Sequence, residues 1–183
     1  HIEFDEHHAM EDAIKIARYQ TQKQAIIAFE NAFHGRTLLT MSLTSKVKPY
    51  KLSFGPFAPE VYRIPYAYCY RCPYKLDYPS CDVACAEALK GFFVSHVAAE
   101  ATAALIVEPV QGEGGLNAAS REFLQGIARL AKAHGALLIV DDAAAKIQHD
   151  IQSRLSLDST VGVASNKLVS KIASTTIKPT GIR

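Results

Sequence analysis

Two apolar runs each end on a carboxylate. "AALIVEPV" closes at Glu108-Pro109 and "ALLIVDD" at Asp141-Asp142. Between them "QGEGGLN" carries Glu113, and upstream "ENAFHGRT" sets His34, Gly35 and Arg36 in a row. Short apolar runs of this kind read as buried strands. In an open α/β sheet, ligands bind outside the C-terminal ends of the strands. Carboxylates there could bind a metal ion, serve as acid and base, or pair with a cationic cofactor nitrogen. Residue type alone leaves all three open.

The elements that must position these groups follow from pattern. "SREFLQGIARLAKAHG" reads as a helix with Ser120 as its cap, Glu122 in the first turn and Gly135 as its C-terminal stop. Strand, helix and strand within about forty residues make a βαβ unit and hence a parallel sheet, so Glu108 and Asp141 should share one crevice. "EDAIKIARY" (11–19) predicts an amphipathic helix with Ala13, Ile14, Ile16 and Ala17 on its buried face. "QAIIAF" (24–29) and "EVYRIPY" predict strands, the second ended by Pro65, with a helical turn at "TLLTMSL". Residues 66–81 read as irregular, and "DVACAEALKGFFV" as a helix with Asp82 as N-cap. After Asp142 the pattern gives a helix in "AAAKIQHDIQSRL", a short strand in "STVGVA", a basic helix in "SNKLVSKIAST" and a closing turn.

Of 183 residues, 49% are hydrophobic, enough for a real core. Twenty basic and 18 acidic residues leave a net charge of +2, which argues against a nucleic-acid or membrane-surface partner. No apolar run approaches the ~20 residues that span a bilayer. No leader pattern is visible, so a cytoplasmic setting is expected. His1 in place of Met suggests a fragment or a processed form.

All four cysteines fall in "CYRCPYKLDYPSCDVAC", as Cys69, Cys72, Cys81 and Cys85. The spacing resembles a zinc knuckle. The alternative, taken here as the expectation, is a Tyr- and Pro-rich loop with no metal, whose thiols pack as small hydrophobes.

"AIIAFENAFHGRTLLTMSLTSKVKPYKLSFGPFAPEVYRIPYAYCYR", then "EPVQGEGGLN", then "LLIVDD", resembles the class III pyridoxal-phosphate aminotransferases, and within them the 4-aminobutyrate group. The resemblance covers about residues 11–142, and the interval of 33 residues from Glu108 to Asp141 fits the family. It implies an α/β large domain with a mainly parallel sheet, pyridoxal 5'-phosphate as cofactor, and amino-acid and 2-oxo-acid substrates. It also implies residue roles. Asp141 would pair with the pyridinium nitrogen, Phe33 would stack on the cofactor ring, and His34 would sit near that ring. Arg36 would hold a substrate carboxylate, and Glu108 would lie beside the cofactor. Glu113 would be the switchable partner of an arginine that this chain lacks.

Three parts of the family pattern are missing. The Ser-Gly-Ala phosphate-binding turn is replaced by "EFDEHHAM", which is acidic and has no glycine. Asp141 is followed by Asp142-Ala-Ala-Ala where the family has Glu-Val-Gln-Thr-Gly. Lys171 stands 30 residues after Asp141, where the cofactor lysine is expected, but in "VSKIAS" rather than an Ala-Lys-Ser context. "DSTVGVASNKLVSKIASTTIKPTGI" is instead similar to a palm segment of the lesion-bypass, Y-family DNA polymerases, a resemblance that spans about residues 143–183 and has Lys178 in its Lys-Pro turn.

The sequence therefore predicts a partial aminotransferase large domain over 1–142 and a short α/β tail over 143–183. The expected reaction is PLP-dependent transamination, incomplete in this chain. The alternatives are a chimeric chain without activity, or a nucleotide- or DNA-binding tail. Uncovered apolar strand surface would favour self-association. Docking of "STVGVA" (159–164) on the sheet as a surrogate strand is the structural hypothesis for the tail.

Overall fold

A computed structural model of the chain describes residues 6–141. Strand β1 (Ala25–Phe29) is buried at all five positions and β3 (Thr102–Val107) at all six. Unbroken apolar runs of this kind arise when a strand is covered on both faces, as in a parallel sheet. With β2 (Val61–Ile64) and β6 (Leu137–Val140) they form a parallel sheet of order β2-β1-β3-β6.

Alternation along β1 splits the core in two. Ala25, Ile27 and Phe29 pack with α3 (Ala84–Ser95) and α4 (Arg121–Ala133), through Leu89, Phe92, Phe123 and Ile127. Ile26 and Ala28 face the other way, onto α1 (Glu6–Thr21) and Leu43 of α2 (Leu38–Leu43). The buried stripe of α1 is Met10, Ala13, Ile14 and Ala17, the spacing of one helix face. Ile16, placed on that face by the sequence reading, is 37% exposed, and the helix begins at Glu6 rather than residue 11.

The predicted βαβ unit is present. Ser120 caps α4 by accepting from the Phe123 N–H at 3.2 Å, and Gly135 turns out of its end with φ +64°. Gly126 lets α3 and α4 approach closely, since a Cβ there would lie 2.8 Å from Ala86 Cβ.

Two expectations are corrected. Asp82 does not cap α3: Asp82 and Val83 both have positive φ, and the cap position falls on Val83, which has no side-chain acceptor. The apolar run 103–110 is two strands rather than one. It breaks at Glu108-Pro109, after which β4 (Val110–Gln111) turns through the glycine-rich loop and pairs antiparallel with β5 (Asn117–Ala118). The tail's predicted helices, its 159–164 strand, Lys171, Lys178 and the boundary at 142–143 lie outside the described residues.

Candidate functional site

β3 and β6 run side by side in register, Val107 opposite Val140, so the residues that leave them meet at one edge. The Asp141 N–H donates to the Val107 carbonyl at 2.8 Å, which carries the pairing one step past β6. Glu108 and Asp141 thus leave neighbouring strands at one sheet edge. The Glu108 carbonyl accepts from the Tyr66 hydroxyl at 2.8 Å. Burial pushes the Tyr66 phenol far above its usual range, so it remains a donor.

The loop after β1 supplies the facing groups. Gly35 has φ +128°, a conformation that L side chains rarely adopt. It separates a buried His34 from an exposed Arg36. Thr44, the C-cap of α2, fixes this loop: its hydroxyl accepts from the His34 N–H at 3.1 Å and lies 3.0 Å from the Gly35 carbonyl.

Two contacts then tie the loop to the sheet edge. The Phe33 N–H donates to Glu108 Oε2 at 3.0 Å. His34 Nδ1 meets Asp141 Oδ2 at 2.8 Å, with side-chain exposures of 0% and 10%. Four of the six candidate residues, Phe33, His34, Glu108 and Asp141, are therefore brought together.

The other two, Arg36 and Glu113, sit at the mouth and are joined by a residue that sequence reasoning left without a role. The Tyr50 hydroxyl donates to Glu113 Oε2 at 2.7 Å. The Arg36 guanidinium lies over the Tyr50 ring, 5.0 Å from its centre, and the Phe33 ring is 4.9 Å away on a 57° tilt. The hydrogen bond to Glu113 raises the Tyr50 phenol from its ordinary value. Lys46 Nζ stands 3.7 Å from Glu113 Oε2 and donates to the Glu113 carbonyl. Tyr50 and Lys46 lie within "SKVKPY", but their contacts cross 63 and 67 residues, a separation that periodicity does not report.

The hairpin that carries Glu113 is pinned from below. Gln111 Nε2 donates to the Glu30 carbonyl at 2.8 Å, and a Cβ on Gly114 would lie 2.9 Å from the Asn31 carbonyl oxygen.

Cys69, Cys72, Cys81 and Cys85 line one small cavity with Tyr74 and Tyr78. No group of three or more His, Cys, Asp or Glu side chains is arranged to hold a metal ion among the described residues. Burial pushes the Cys85 thiol up to about 11 and, with help from Cys81 and Cys72, raises Cys69.

The pattern that defines "Aminotransferase class-III" matches residues 7–145. The chain belongs to the class III aminotransferase family. A probable 4-aminobutyrate aminotransferase of Bacillus subtilis is 48% identical over 134 residues, covering 73% of this chain and 31% of that protein. A 2-aminoadipate transaminase of Pseudomonas putida is 44% identical over 139 residues, covering 73% and 30%. An amine transaminase from an uncultivated Pseudomonas species, solved in its PLP-bound form, superimposes with a TM-score of 0.68 over 92% of this chain and 36% of that one. At 22% identity that likeness bears on the fold alone. This class III chain spans about a third of the length of the curated relatives it matches. Membership of the class III family indicates pyridoxal 5'-phosphate as the cofactor.

The residues present fit the ring of that cofactor. A half-buried carboxylate stands at the sheet edge, the Phe33 backbone is bonded to Glu108 at the same edge, and His34 Nε2 is a buried polar atom with no hydrogen-bond partner among the described residues. At the phosphate end, the segment where a Ser-Gly-Ala turn was expected forms the first turn of α1 from Glu6 onward.

Proposed function

We propose that this class III chain carries the cofactor-ring half of a PLP-dependent transamination site. The reaction moves an amino group from 4-aminobutyrate or a similar ω-amino acid to a 2-oxo acid. The observation that carries the reading is the 2.8 Å contact between His34 Nδ1 and Asp141 Oδ2 at the C-terminal edge of a parallel sheet. Support for the substrate class comes from the 4-aminobutyrate named for the Bacillus subtilis relative.

Each residue has a task set by its chemistry. Asp141 would accept a hydrogen bond from a protonated pyridine nitrogen, and His34 positions that carboxylate through Oδ2. When bound, the cofactor supplies an electron sink for the bond changes at the amino carbon. Phe33 would offer an aromatic face to the flat ring, and its backbone N–H holds the Glu108 carboxylate in place. Arg36 binds a substrate carboxylate, which suits a planar two-pronged donor. Glu113 is the exchangeable acceptor at the mouth. Lys171, at the family's interval but outside its Ala-Lys-Ser context, is not assigned the cofactor lysine's role.

The domain division near 142–143, self-association through the half-exposed edge strand β6 and a cytoplasmic setting belong to the same reading. Among the described residues no helix is long and apolar enough to cross a membrane. The family match runs on to residue 145, past the start of the polymerase-like pattern, and polymerase chemistry is not carried into the proposal.

The test is to add pyridoxal 5'-phosphate to the full chain and record circular dichroism in the cofactor's absorption band. Borohydride reduction and mapping of modified lysines complete it. A saturable induced signal that is lost in Asp141→Ala is expected. An adduct on Lys171 would show that the chain also supplies the lysine. No induced signal, or one indifferent to Asp141, would sink the reading.

A further inference from the structure

At the mouth of the crevice a guanidinium and a carboxylate share one aromatic ring without pairing. Glu113 makes its ion pair with Lys46, and no ion pair joins it to Arg36 among the described residues. Tyr50 contacts both: its hydroxyl donates to Glu113 at 2.7 Å, and the Arg36 guanidinium lies over its ring, 5.0 Å from the centre, near enough to lower the phenol that Glu113 raises. Its other neighbour is Phe33, 4.9 Å away between ring centres. Opposite charges on solvent-exposed side chains attract one another, weakly in water, and other partners compete with that attraction. A guanidinium already forked onto a carboxylate has fewer donors and less charge left for a second one.

We propose that Tyr50 is a specificity-setting positioning residue that holds Glu113 away from Arg36, keeping the guanidinium open for a substrate carboxylate. The inference rests on the carboxylate-binding role of Arg36 proposed above. Its physical content lies in the phenol's two different surfaces. The hydroxyl gives Glu113 a hydrogen-bond donor, so the carboxylate has a partner besides Arg36. The ring face holds Arg36 by attraction between the cation and the π-system. Lys46 acts in the same direction by balancing the Glu113 charge from the far side. Removing only the hydroxyl frees Glu113 to swing onto Arg36, and substrates that carry a carboxylate at this position then compete with an internal one.

The full chain is titrated with glutarate, a simple dicarboxylate, by calorimetry. Variants Tyr50→Phe, Arg36→Ala, Glu113→Gln and Tyr50→Phe/Glu113→Gln are compared, with thermal melts to confirm folding. Tyr50→Phe is expected to weaken glutarate about twofold to fivefold, the scale of an exposed charged contact. The double variant should restore binding to the level of Glu113→Gln alone, because a neutral amide no longer competes for Arg36. A purely structural role for Tyr50 would not produce that rescue. If Arg36→Ala abolishes binding while Tyr50→Phe leaves it unchanged, the proposal falls and the role of Arg36 stands. If Tyr50→Phe weakens binding and the double variant does not recover it, the separation of Glu113 from Arg36 is overturned. If the wild-type chain does not bind glutarate, or Arg36→Ala binds as well as wild type, the carboxylate role of Arg36 fails and takes this proposal with it.

Discussion

At the sheet edge, Asp141 and Glu108 sit among partners that leave them little freedom: His34 Nδ1 on one, the Phe33 N–H on the other, and Tyr66 beneath. At the mouth, Glu113 is 47% exposed and is shared by Tyr50 and by a Lys46 that is itself 45% exposed. Both regions use carboxylates and hydrogen bonds, but water separates their energetics. In the floor a lost partner leaves a polar group buried and unsatisfied. At the mouth water takes the partner's place at little cost. The floor is thus suited to fixing a cofactor, and the mouth to contacts that exchange as substrates change.

Substitutions should separate the two regions by size of effect. Asp141→Ala strips the buried His34 ring of a partner and is expected to cost about 1–3 kcal/mol of stability, read from the urea midpoint. A loss as small as a surface variant's would show that the floor is wetter than its burial implies. Gly114→Ala places a Cβ against the Asn31 carbonyl and crowds the hairpin joining floor to mouth. A loss of about 1–2 kcal/mol, with weaker glutarate binding, is expected from such crowding. Unchanged binding would mean that the hairpin moves without disturbing Glu113.

The cysteine cavity gives a pH-dependent control away from both regions. Cys85 titrates near 11 when folded, against an ordinary thiol value of 9.0, because burial disfavours the thiolate. Its contribution is fully present below pH 9 and is lost as pH rises from there through the folded value, since the unfolded chain ionises first. The melting temperature of wild type should therefore fall more steeply than that of Cys85→Ser across this alkaline window. Parallel curves would place the thiol in water. The smallest effects belong to the mouth: Lys46→Ala and Glu113→Gln are each expected to change stability by under about 0.5 kcal/mol, with any difference fading in salt. A larger change from either would erase the distinction drawn between the regions.

Much of the floor could be read in the sequence because it depends on short-range order. Ser120 and Gly135 mark the ends of α4, the apolar runs mark β3 and β6, and right-handed βαβ geometry then brings Glu108 beside Asp141. What failed was local or long-range in ways that pattern does not encode. Asp82 has the right chemistry for a cap, but the chain enters the left-handed region at Asp82 and Val83 and moves the cap position past it. "AALIVEPV" looks continuous in hydropathy, yet β3 ends before Glu108-Pro109 and Val110 restarts as a hairpin strand. Tyr50 was invisible because its role depends on Glu113, 63 residues away, and on the face of a ring rather than on composition. Pairing of His34 with Asp141 spans 107 residues and was likewise not predicted, although both residues had been singled out.

The central claim is that Asp141, held by His34, receives the cofactor's pyridine nitrogen. Nitrogen NMR of the full chain with pyridoxal 5'-phosphate labelled at that atom tests it most directly. The account predicts the shift of a protonated pyridinium in wild type and of a neutral pyridine, or no bound signal, in Asp141→Ala. A neutral shift in wild type, or the same protonated shift in both proteins, would contradict it.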